Sequence, residues 1–293
     1  MRIMVLCDTT FGGPAIARCL QTDGLNVVTA GQSHLSAHCE ASQLTFCYGD
    51  MDSLVTLCTA ADIDILVPTS MEQLSEIIDH AEELPLIITG IYTKDLFARE
   101  SLWEAVRGAG LHCVGRAGEA PAMYLSLLSA PKLRLTISSE KGFAALNGLP
   151  GDIVDTCTGM VECEIDFIAN KGVLKAAACR YLLVTRNTCV RVAEVTELPE
   201  EMLAEVTTII SRLEYHGPGT LSCFLANDQL YWVDLDVCLN EHMEMSAVAG
   251  INIPLLALSD LGLIDYEPEG LSKTLVSREM ALIYSVEGEE GEL

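Results

Sequence analysis

The sequence predicts an α/β protein in two parts: an open parallel sheet covered by helices, then a part richer in β-hairpins. Strand-like apolar runs alternate with helical patterns over residues 1–115, and such alternation is typical of parallel βαβ units. From residue 161 onward, apolar runs follow one another across short polar turns, which indicates antiparallel hairpins. The length of 293 residues fits about two domains, since roughly 150 residues make one.

The first part of the chain is expected to form a Rossmann-like open sheet. Its apolar runs predict strands at 2–7, 25–30, 63–67, 86–89 and 111–114, and its helical patterns fall at 14–20, 52–61, 71–80 and 93–108. Ser70 is the expected N-cap of the third helix, because a serine hydroxyl accepts hydrogen bonds from N–H groups of a first helical turn. Gly12 and Gly13 predict a tight turn after the first strand, without the spacing of a dinucleotide-binding loop.

The periodicity weakens from residue 116, where Gly, Ala, Pro and Ser become frequent, and we place a domain boundary there. The later part predicts strands at 161–169, 173–180, 181–185, 189–195, 220–226 and 229–236, and helices at 198–214, 243–249 and 253–261. The acidic last residues, 286–293, predict a disordered tail.

Composition argues against several classes of protein. The net charge is −25, and so acidic a surface repels phosphate backbones, which disfavours nucleic-acid binding. No apolar run reaches the roughly 18–20 residues of a membrane span. The N-terminus also lacks a signal-peptide pattern, so no membrane association is expected and the expected location is the cytoplasm. The 12 cysteines include no C-x-x-C pair, so we expect small buried hydrophobes rather than a zinc ribbon.

Two candidate ligand sites in the first part have weak support. His34, His38 and Cys39 could share one helix face as metal ligands, but surface histidines at this spacing are common. A dehydrogenase-like dinucleotide site is also disfavoured, because no acidic residue ends the second predicted strand to bind a ribose.

The most informative chemical pattern is a pair of carboxylates at the end of a predicted strand. Asp234 and Asp236 are two residues apart, so both side chains face one side of the strand. Two carboxylates on one face suit a hard cation such as Mg²⁺. A strand end that emerges into solvent would explain the same pattern, and the pair alone does not decide between these interpretations.

The surroundings of this pair resemble the C-terminal core of ATP-grasp carboxylate–amine ligases. In that family a hairpin ends in an acid-x-Asn or acid-x-Asp element, followed by a polar loop and a helix; the matching segments here are 233–236, 240–242 and 249–254. Segments 64–72, 102–114 and 159–167 resemble, in the same order, the pre-ATP-grasp strand–helix junction, the helix leading onward from it, and the strand after the adenine hinge. The resemblance covers nearly the whole chain.

The resemblance implies an α/β fold in three parts: a Rossmann-like pre-ATP-grasp domain at 1–115, a shortened ATP-grasp small lobe at 116–160 and the ATP-grasp C-terminal lobe at 161–285. It also implies an ATP-dependent ligase that acts on a small amino-acid-like substrate through an acyl-phosphate, with Asp234 and Asp236 binding Mg²⁺. Lys132 or Arg134 would cover the ATP phosphates, and Asp155 would lie in the adenine hinge.

The resemblance further implies catalytic residues and partners. Arg180, Arg186 and Arg191 lie on strands where relatives place phosphate- or substrate-contacting basic groups, although ordinary surface arginines would explain them equally well. Of the three, Arg186 and Arg191 are the predicted catalytic residues. The spacing most resembles the ligase of pyrrolysine biosynthesis, which joins 3-methylornithine to lysine and has the same acid-x-Asp element. Family members are often dimers, so a homodimer or a partner ligase subunit is expected.

The sequence departs from the family pattern at three positions. Ser126 stands where the small-lobe lysine is expected, Cys223 at the first metal-binding carboxylate, and Cys238 at a loop arginine. Removing one preorganised charge can lower a rate by about 10²–10³. A second hypothesis is therefore a pseudoenzyme that binds a small molecule or a partner subunit.

Overall fold

The structure is a computed structural model, and it describes residues 1–7, 12–22, 24–33, 37, 39–88, 99–114, 122–126, 134–137, 139–146, 151–155, 160–186, 189–226, 229–268, 270–277, 283–286 and 289–292. These residues form a mixed α/β architecture with one parallel sheet and three antiparallel sheets, which agrees with the predicted class. Within the described ranges, no helix has the length and apolarity that crossing a membrane requires.

The first sheet is parallel and is built from the N-terminal part of the chain. Its strands are β1 (Arg2–Cys7), β2 (Asn26–Gly31), β3 (Thr45–Cys47), β4 (Ile65–Val67) and β5 (Leu86–Ile87), in the spatial order β3-β2-β1-β4-β5. The helices of this part are α1 (Gly12–Cys19), α2 (Met51–Ala60), α3 (Met71–Ile78) and α4 (Arg99–Gly108). The alternation of strands and helices was therefore predicted correctly.

Three details of this part differ from the prediction. β3 was not predicted, because Thr45–Cys47 belongs to no extended apolar run, whereas the equally short β4 ends the apolar run 63–67. α1 begins at Gly12, inside the predicted turn. The segment 111–114 does not join the first sheet: Cys113 forms a parallel bridge with Trp232, and the N–H of Val114 donates to the Trp232 carbonyl at 3.0 Å.

Side-chain caps fix where two of these helices begin. Before α2, Asp50 Oδ1 accepts from the N–H of Ser53 at 2.9 Å, and the Ser53 hydroxyl accepts from the N–H of Asp50 at 2.9 Å. Before α3, Ser70 is the N-cap as predicted, and its Oγ accepts from the N–H of Gln73 at 3.3 Å. A cap of this kind stabilises a helix by about 1 kcal/mol.

A small antiparallel sheet follows in the sequence. It contains β6 (Ala122–Ser126), β7 (Arg134–Ile137) and β8 (Gly151–Asp155), in the order β7-β6-β8. The helix α5 (Glu140–Leu146) separates β7 from β8 in the chain.

The large antiparallel sheet contains β9 (Val161–Asn170), β10 (Val173–Arg186), β11 (Cys189–Thr196), β12 (Gly217–Ala226), β13 (Gln229–Asp236) and β14 (Thr274–Ser277), in the order β13-β12-β9-β10-β11-β14. Its helices are α6 (Glu200–Arg212), α7 (Met243–Val248) and α8 (Ile253–Asp260). The runs predicted as two strands at 173–180 and 181–185 form the single strand β10. Near the C-terminus, β15 (Ile283–Val286) pairs with β16 (Glu289–Glu292), so part of the predicted disordered tail is a strand.

The β9–β10 hairpin turns as the sequence predicted. Lys171 and Gly172 have positive φ angles of 48° and 79°, and Asn170 pairs with Val173. Positive φ at both central residues is typical of the two-residue type I′ turn, whose twist matches that of antiparallel strands. The turn therefore sets the register of β9 against β10.

Apolar clusters lie on both sides of the parallel sheet and continue onto the large sheet. Met4 and Leu6 of β1 belong to one cluster, together with residues of α2, α3 and α6. Ile3 and Val5 point the other way and share a cluster with residues of α1, α7 and α8. Because β1 is buried on both faces, its run of apolar residues shows no alternation.

Three polar contacts also join the N-terminal part to the large sheet and its helices. Arg18 Nη2 of α1 donates to Glu244 Oε2 of α7 at 3.0 Å, and Asn252 Nδ2 donates to the carbonyl of Cys19 at 2.7 Å. Trp103 Nε1 of α4 donates to the Val233 carbonyl of β13 at 3.0 Å. The helix α7 is therefore held by α1 as well as by the large sheet.

Gly13 lies where α1 approaches β1, and a methyl group there would clash with Cys7. A Cβ built on Gly13 falls 2.9 Å from the Cα of Cys7. Because this neighbour is backbone, we expect Gly13→Ala to lower the free energy of unfolding by about 1–3 kcal/mol, measured by urea denaturation. The control is Gly49→Ala, since no described atom lies within 4 Å of a Cβ at Gly49. Equal losses in the two variants would contradict the close packing.

Candidate functional site

One face of the large antiparallel sheet is polar. It carries seven side chains, which we call the polar face: Glu164 and Asp166 of β9, Arg180 of β10, Thr220 and Ser222 of β12, and Asp234 and Asp236 of β13. The opposite face is apolar and shares a core cluster with α6. Because residues two apart on a strand point the same way, alternation within each strand builds both faces.

The strand register arranges the polar face in two rows. The first row contains, in order, Arg180, Glu164, Ser222 and Asp234, and the second contains Asp166, Thr220 and Asp236. Neighbouring strands lie roughly 4.8 Å apart, so the first row extends over about 14 Å. It therefore has a cation at one end and a predicted metal ligand at the other.

Arg180 is a fully buried cation held by two carboxylates. Its Nη2 lies 2.7 Å from Asp166 Oδ1 and 3.1 Å from Glu164 Oε2, and the side chains of Arg180 and Asp166 are 0% exposed. A buried charge is strongly unfavourable without a partner, so these three groups depend on one another. Both carboxylates contact the same nitrogen, whereas Nε and Nη1 of Arg180 have no hydrogen-bond partner among the described residues.

Asp166 joins three elements of the structure. Its Oδ1 also accepts from Thr220 Oγ1 at 2.8 Å, and its Oδ2 accepts from Ser246 Oγ at 2.6 Å. Burial raises the pKa of Asp166, while the Arg180 charge and the two hydroxyl donors oppose that rise. Because Ser246 belongs to α7, its contact with Asp166 fixes this helix against the polar face.

The loop between β13 and α7 folds over the polar face. Asn240 Nδ2 donates to Thr220 Oγ1 at 3.0 Å, and His242 Nδ1 lies 3.0 Å from Glu164 Oε2. The other ring nitrogen of His242, Nε2, lies 3.6 Å from Glu241 Oε1 and makes no hydrogen bond to any described group. The loop therefore adds an imidazole and a carboxylate to the site.

The predicted metal ligands, Asp234 and Asp236, lie on this face as expected. Asp234 Oδ1 accepts from the N–H of Leu235 at 3.0 Å, and Asp236 Oδ1 accepts from the N–H of Cys238 at 3.2 Å. In the described part of the chain, no group of three or more His, Cys, Asp or Glu side chains is arranged to hold a metal ion. A metal-binding role for the pair stays a prediction that needs further ligands from a substrate.

The donor set nevertheless fits Mg²⁺ bound jointly with phosphates. Asp234 and Asp236 supply carboxylate oxygens, and the hydroxyl-bearing Ser222 is the cross-strand neighbour of Asp234. Mg²⁺ commonly takes one or two carboxylates, several waters and substrate phosphates. Of the weaker metal candidate, His34 and His38 lie outside the described residues.

Cys223 was expected at the first metal-ligand position, and that placement is wrong. Cys223 is fully buried in the apolar cluster on the other side of the sheet, opposite Cys163 and Trp232. Side chains alternate along β12, so Cys223 points to the opposite face from its neighbour Ser222, and the expected position is wrong by one residue. The residue beside Asp234 on the polar face is Ser222.

Cys238, at the expected position of a loop arginine, is also buried. Its Sγ lies 3.8 Å from the Sδ of Met71 at the start of α3. At this position the chain therefore has no cation, and Cys238 instead packs the large-sheet part against the N-terminal part.

The predicted nucleotide-binding residues fall in or near the small sheet. Lys132 lies outside the described residues. Arg134 begins β7 opposite Leu125, and Asp155 ends β8 opposite Ala122. Leu125 and Ala122 are roughly 10 Å apart along an extended strand, so Arg134 and Asp155 lie near opposite ends of β6. Their nucleotide-binding roles stay predictions.

The predicted catalytic arginines lie away from the two rows. Arg186 pairs with Cys189 at the tip of the β10–β11 hairpin, and six residues of extended strand, roughly 20 Å, separate it from Arg180. Arg191 falls at a register shift and is skipped in the described pairing of these strands. Catalytic roles for Arg186 and Arg191 stay predictions, and the arginine on the polar face is Arg180.

Several residues of the site were missed by the sequence analysis, among them Glu164, Asp166, His242 and Ser246. A signal was present for two of them, because Glu164 and Asp166 are two residues apart in an apolar strand, like the Asp234 and Asp236 pair. His242 and Ser246 gave no such signal, because only the folding of the loop and α7 onto the sheet brings them to it.

Comparison of the sequence with protein-family models and with curated proteins finds no match. Solved structures with the same fold include biotin carboxylase from Campylobacter jejuni, with a TM-score of 0.65 at 12% identity over 90% of this chain and 72% of that one. L-amino acid ligase from Bacillus licheniformis has a TM-score of 0.64 at 16% identity, over 88% of this chain and 73% of the ligase. N5-carboxyaminoimidazole synthetase from Staphylococcus aureus, complexed with ADP, has a TM-score of 0.66 at 15% identity, over 94% of this chain and 79% of the synthetase.

These solved structures share the mixed α/β fold of this chain, which agrees with the fold class that the sequence predicted. The chain spans only 27% of the length of the pyruvate carboxylase from Rhizobium etli, which it also resembles. At identities this low, the likeness shows the fold alone and leaves the activity to be argued from the site.

Removing the charge of Asp166 should destabilise the protein. Asp166→Asn leaves Arg180 buried with one carboxylate fewer, so we expect the free energy of unfolding to fall by roughly 3 kcal/mol. Urea denaturation measures the change. The control is Glu244→Gln, which breaks the half-exposed pair with Arg18 and should cost less than about 1 kcal/mol. A loss in Asp166→Asn no larger than that of the control would contradict the buried network.

Proposed function

We propose that this chain is an ATP-dependent ligase that joins a carboxylate to an amine on amino-acid-like substrates. The observation that supports the proposal most is the polar face, which places Asp234 in the same row as the buried Arg180 and Asp236 in the neighbouring row. The fold supports it too, because the structural neighbours include an L-amino acid ligase and a biotin carboxylase.

In the proposed reaction, a carboxylate oxygen of the first substrate attacks the γ-phosphorus of ATP, and ADP leaves. The amine of the second substrate then attacks the acyl carbon, a C–N bond forms, and phosphate leaves. Such phosphoryl transfer depends on positioning and on charge neutralisation. Arg180 is buried and held by two carboxylates, so its N–H groups would need little reorganisation to stabilise negative charge that develops beside them.

The charges of the polar face match this chemistry only with added cations. It has four carboxylates, Glu164, Asp166, Asp234 and Asp236, against the one guanidinium of Arg180. A bare triphosphate would be repelled by this excess of negative charge. Mg²⁺ held by Asp234 and Asp236 would neutralise phosphate oxygens there, and Lys132 or Arg134 would add positive charge from the small lobe.

The finer parts of the proposal rest on the sequence resemblance. We propose that the parallel sheet is the Rossmann-like pre-ATP-grasp domain, and that the sheet of β6, β7 and β8 is a shortened small lobe. We also propose a role in pyrrolysine biosynthesis, with a 3-methylornithine-like acid and lysine as substrates; the Asp234-x-Asp236 element supports it. A homodimer or a partner ligase subunit, and a cytoplasmic location, stay predictions.

The metal-binding pair gives the test. Purified protein with lysine, ornithine-like acids and Mg-ATP should release phosphate, and the double variant Asp234→Asn, Asp236→Asn should lose that release by about 10²-fold or more. A phosphate-release assay measures the rate. The control is Asp265→Asn, because Asp265 is exposed and lies outside the polar face.

Thermal denaturation with Mg-ATP separates the remaining outcomes, because a ligand that binds the native state raises its stability. A rise in Tm of several degrees at millimolar Mg-ATP would count against the pseudoenzyme alternative, which predicts no such stabilisation. Unchanged release in the double variant would refute the site assignment. No rise in Tm at millimolar Mg-ATP, together with no release, would refute the proposed function.

A further inference from the structure

The guanidinium of Arg180 is paired in an unusual way. Asp166 Oδ1 and Glu164 Oε2 both contact Nη2, at 2.7 and 3.1 Å. Nε and Nη1 are buried and have no hydrogen-bond partner in the described part of the chain. A carboxylate beside an arginine commonly forms two parallel hydrogen bonds, so one side of this guanidinium would be expected to be fully paired. Something therefore holds the carboxylates away from the other two nitrogens.

Each carboxylate is held by other donors. Asp166 accepts from the hydroxyls of Thr220 and Ser246, at 2.8 and 2.6 Å. Glu164 Oε2, the oxygen that contacts Arg180, lies 3.0 Å from His242 Nδ1. An ionised carboxylate can only accept, so Nδ1 carries the proton and donates to Glu164.

The setting of His242 makes this contact rigid. Its side chain is 13% exposed and belongs to the loop that Asn240 attaches to Thr220 of the sheet. Asn240 also accepts from the backbone N–H of His242 at 3.0 Å. If the Glu164 carboxylate moved toward Nε and Nη1 of Arg180, the imidazole could follow it only by breaking the contacts of the loop.

We propose that His242 is a positioning residue: by holding Glu164, it keeps the N–H groups on Nε and Nη1 of Arg180 available for an oxyanion of the bound substrate. The oxyanion is either a carboxylate oxygen or a phosphoryl oxygen, because the proposed ligase reaction contains both. The identity of the oxyanion therefore rests on the proposed function. Buried donors that lack a protein partner are expected where a ligand supplies the acceptor. Without His242, Glu164 relaxes into a two-point contact with Arg180 and blocks the ligand.

The first test uses the free protein and needs no activity. The variants are His242→Leu, which removes the donor at similar volume, and His242→Asn, which retains one. The guanidinium N–H resonances of Arg180 are followed by ¹H–¹⁵N NMR and assigned by their loss in Arg180→Lys. In His242→Leu we expect a shifted resonance whose hydrogen exchange is roughly tenfold slower, because one further hydrogen bond forms. His242→Asn should resemble the wild type.

The matched control is His80→Leu. His80 makes a similar contact, Nδ1 to Glu83 Oε1 at 3.3 Å, but on the exposed turn after α3. It should leave the Arg180 resonances unchanged. Arg180 resonances in His242→Leu that equal those of the wild type would overturn the inference, whether or not the protein is a ligase.

The second test identifies the oxyanion and separates this inference from the proposed function. Titration of wild-type protein with a non-hydrolysable Mg-ATP analogue, and separately with lysine, should shift the Arg180 resonances with whichever supplies the oxygen. If neither shifts them, the reserved N–H groups bind no substrate oxyanion and the inference is wrong. In the ligase assay, kcat/KM should fall roughly 10-fold to 100-fold in His242→Leu and recover in His242→Asn. NMR changes as expected without any turnover would refute the proposed function and leave the positioning role of His242 standing.

Discussion

The burial of one positive charge constrains much of this structure. Arg180 has no exposed surface, so its charge must be balanced inside the protein, and among the described residues the carboxylates in contact with it are Glu164 and Asp166. These carboxylates need donors of their own, which come from the sheet, the loop after β13 and α7. Because the same helix binds Arg18 of α1 through Glu244, the position of the N-terminal part is linked to the charge at the centre of the large sheet.

This constraint also explains how the sheet can support chemistry. One face is apolar and anchors the sheet against α6, so the strands cannot move independently. The other face then presents charged groups at spacings fixed by strand register. Groups held in this way need little reorganisation when charge develops on a substrate. Such preorganisation is the main source of electrostatic catalysis. Nε and Nη1 of Arg180 have no hydrogen-bond partner among the described residues, which fits a role in stabilising negative charge on a substrate. A purely structural ion pair would use these nitrogens.

Much of the fold could be predicted from the sequence because it depends on local patterns. Apolar runs that alternate with helical patterns predicted the strands of the parallel sheet, and Ser70 predicted the start of a helix. The spacing of Asp234 and Asp236 predicted that both lie on one face. The errors arose where position depends on tertiary geometry. Cys223 was chosen in place of its neighbour Ser222, which β12 turns to the polar face. The approach of Ser246 and His242 to the sheet depends on contacts distant in the sequence. Arg186 was chosen over Arg180 because a sequence gives no distance along a strand to the other charges.

The proposed function requires the polar face to bind a nucleotide together with Mg²⁺, and this binding can be measured directly. Isothermal titration calorimetry with Mg²⁺ and a non-hydrolysable ATP analogue tests it most directly. We expect saturable binding to the wild-type protein, and binding roughly tenfold or more weaker in the Asp234→Asn, Asp236→Asn variant. Absence of binding to the folded wild-type protein at millimolar nucleotide, or equal affinity in the variant, would contradict a nucleotide site at the polar face.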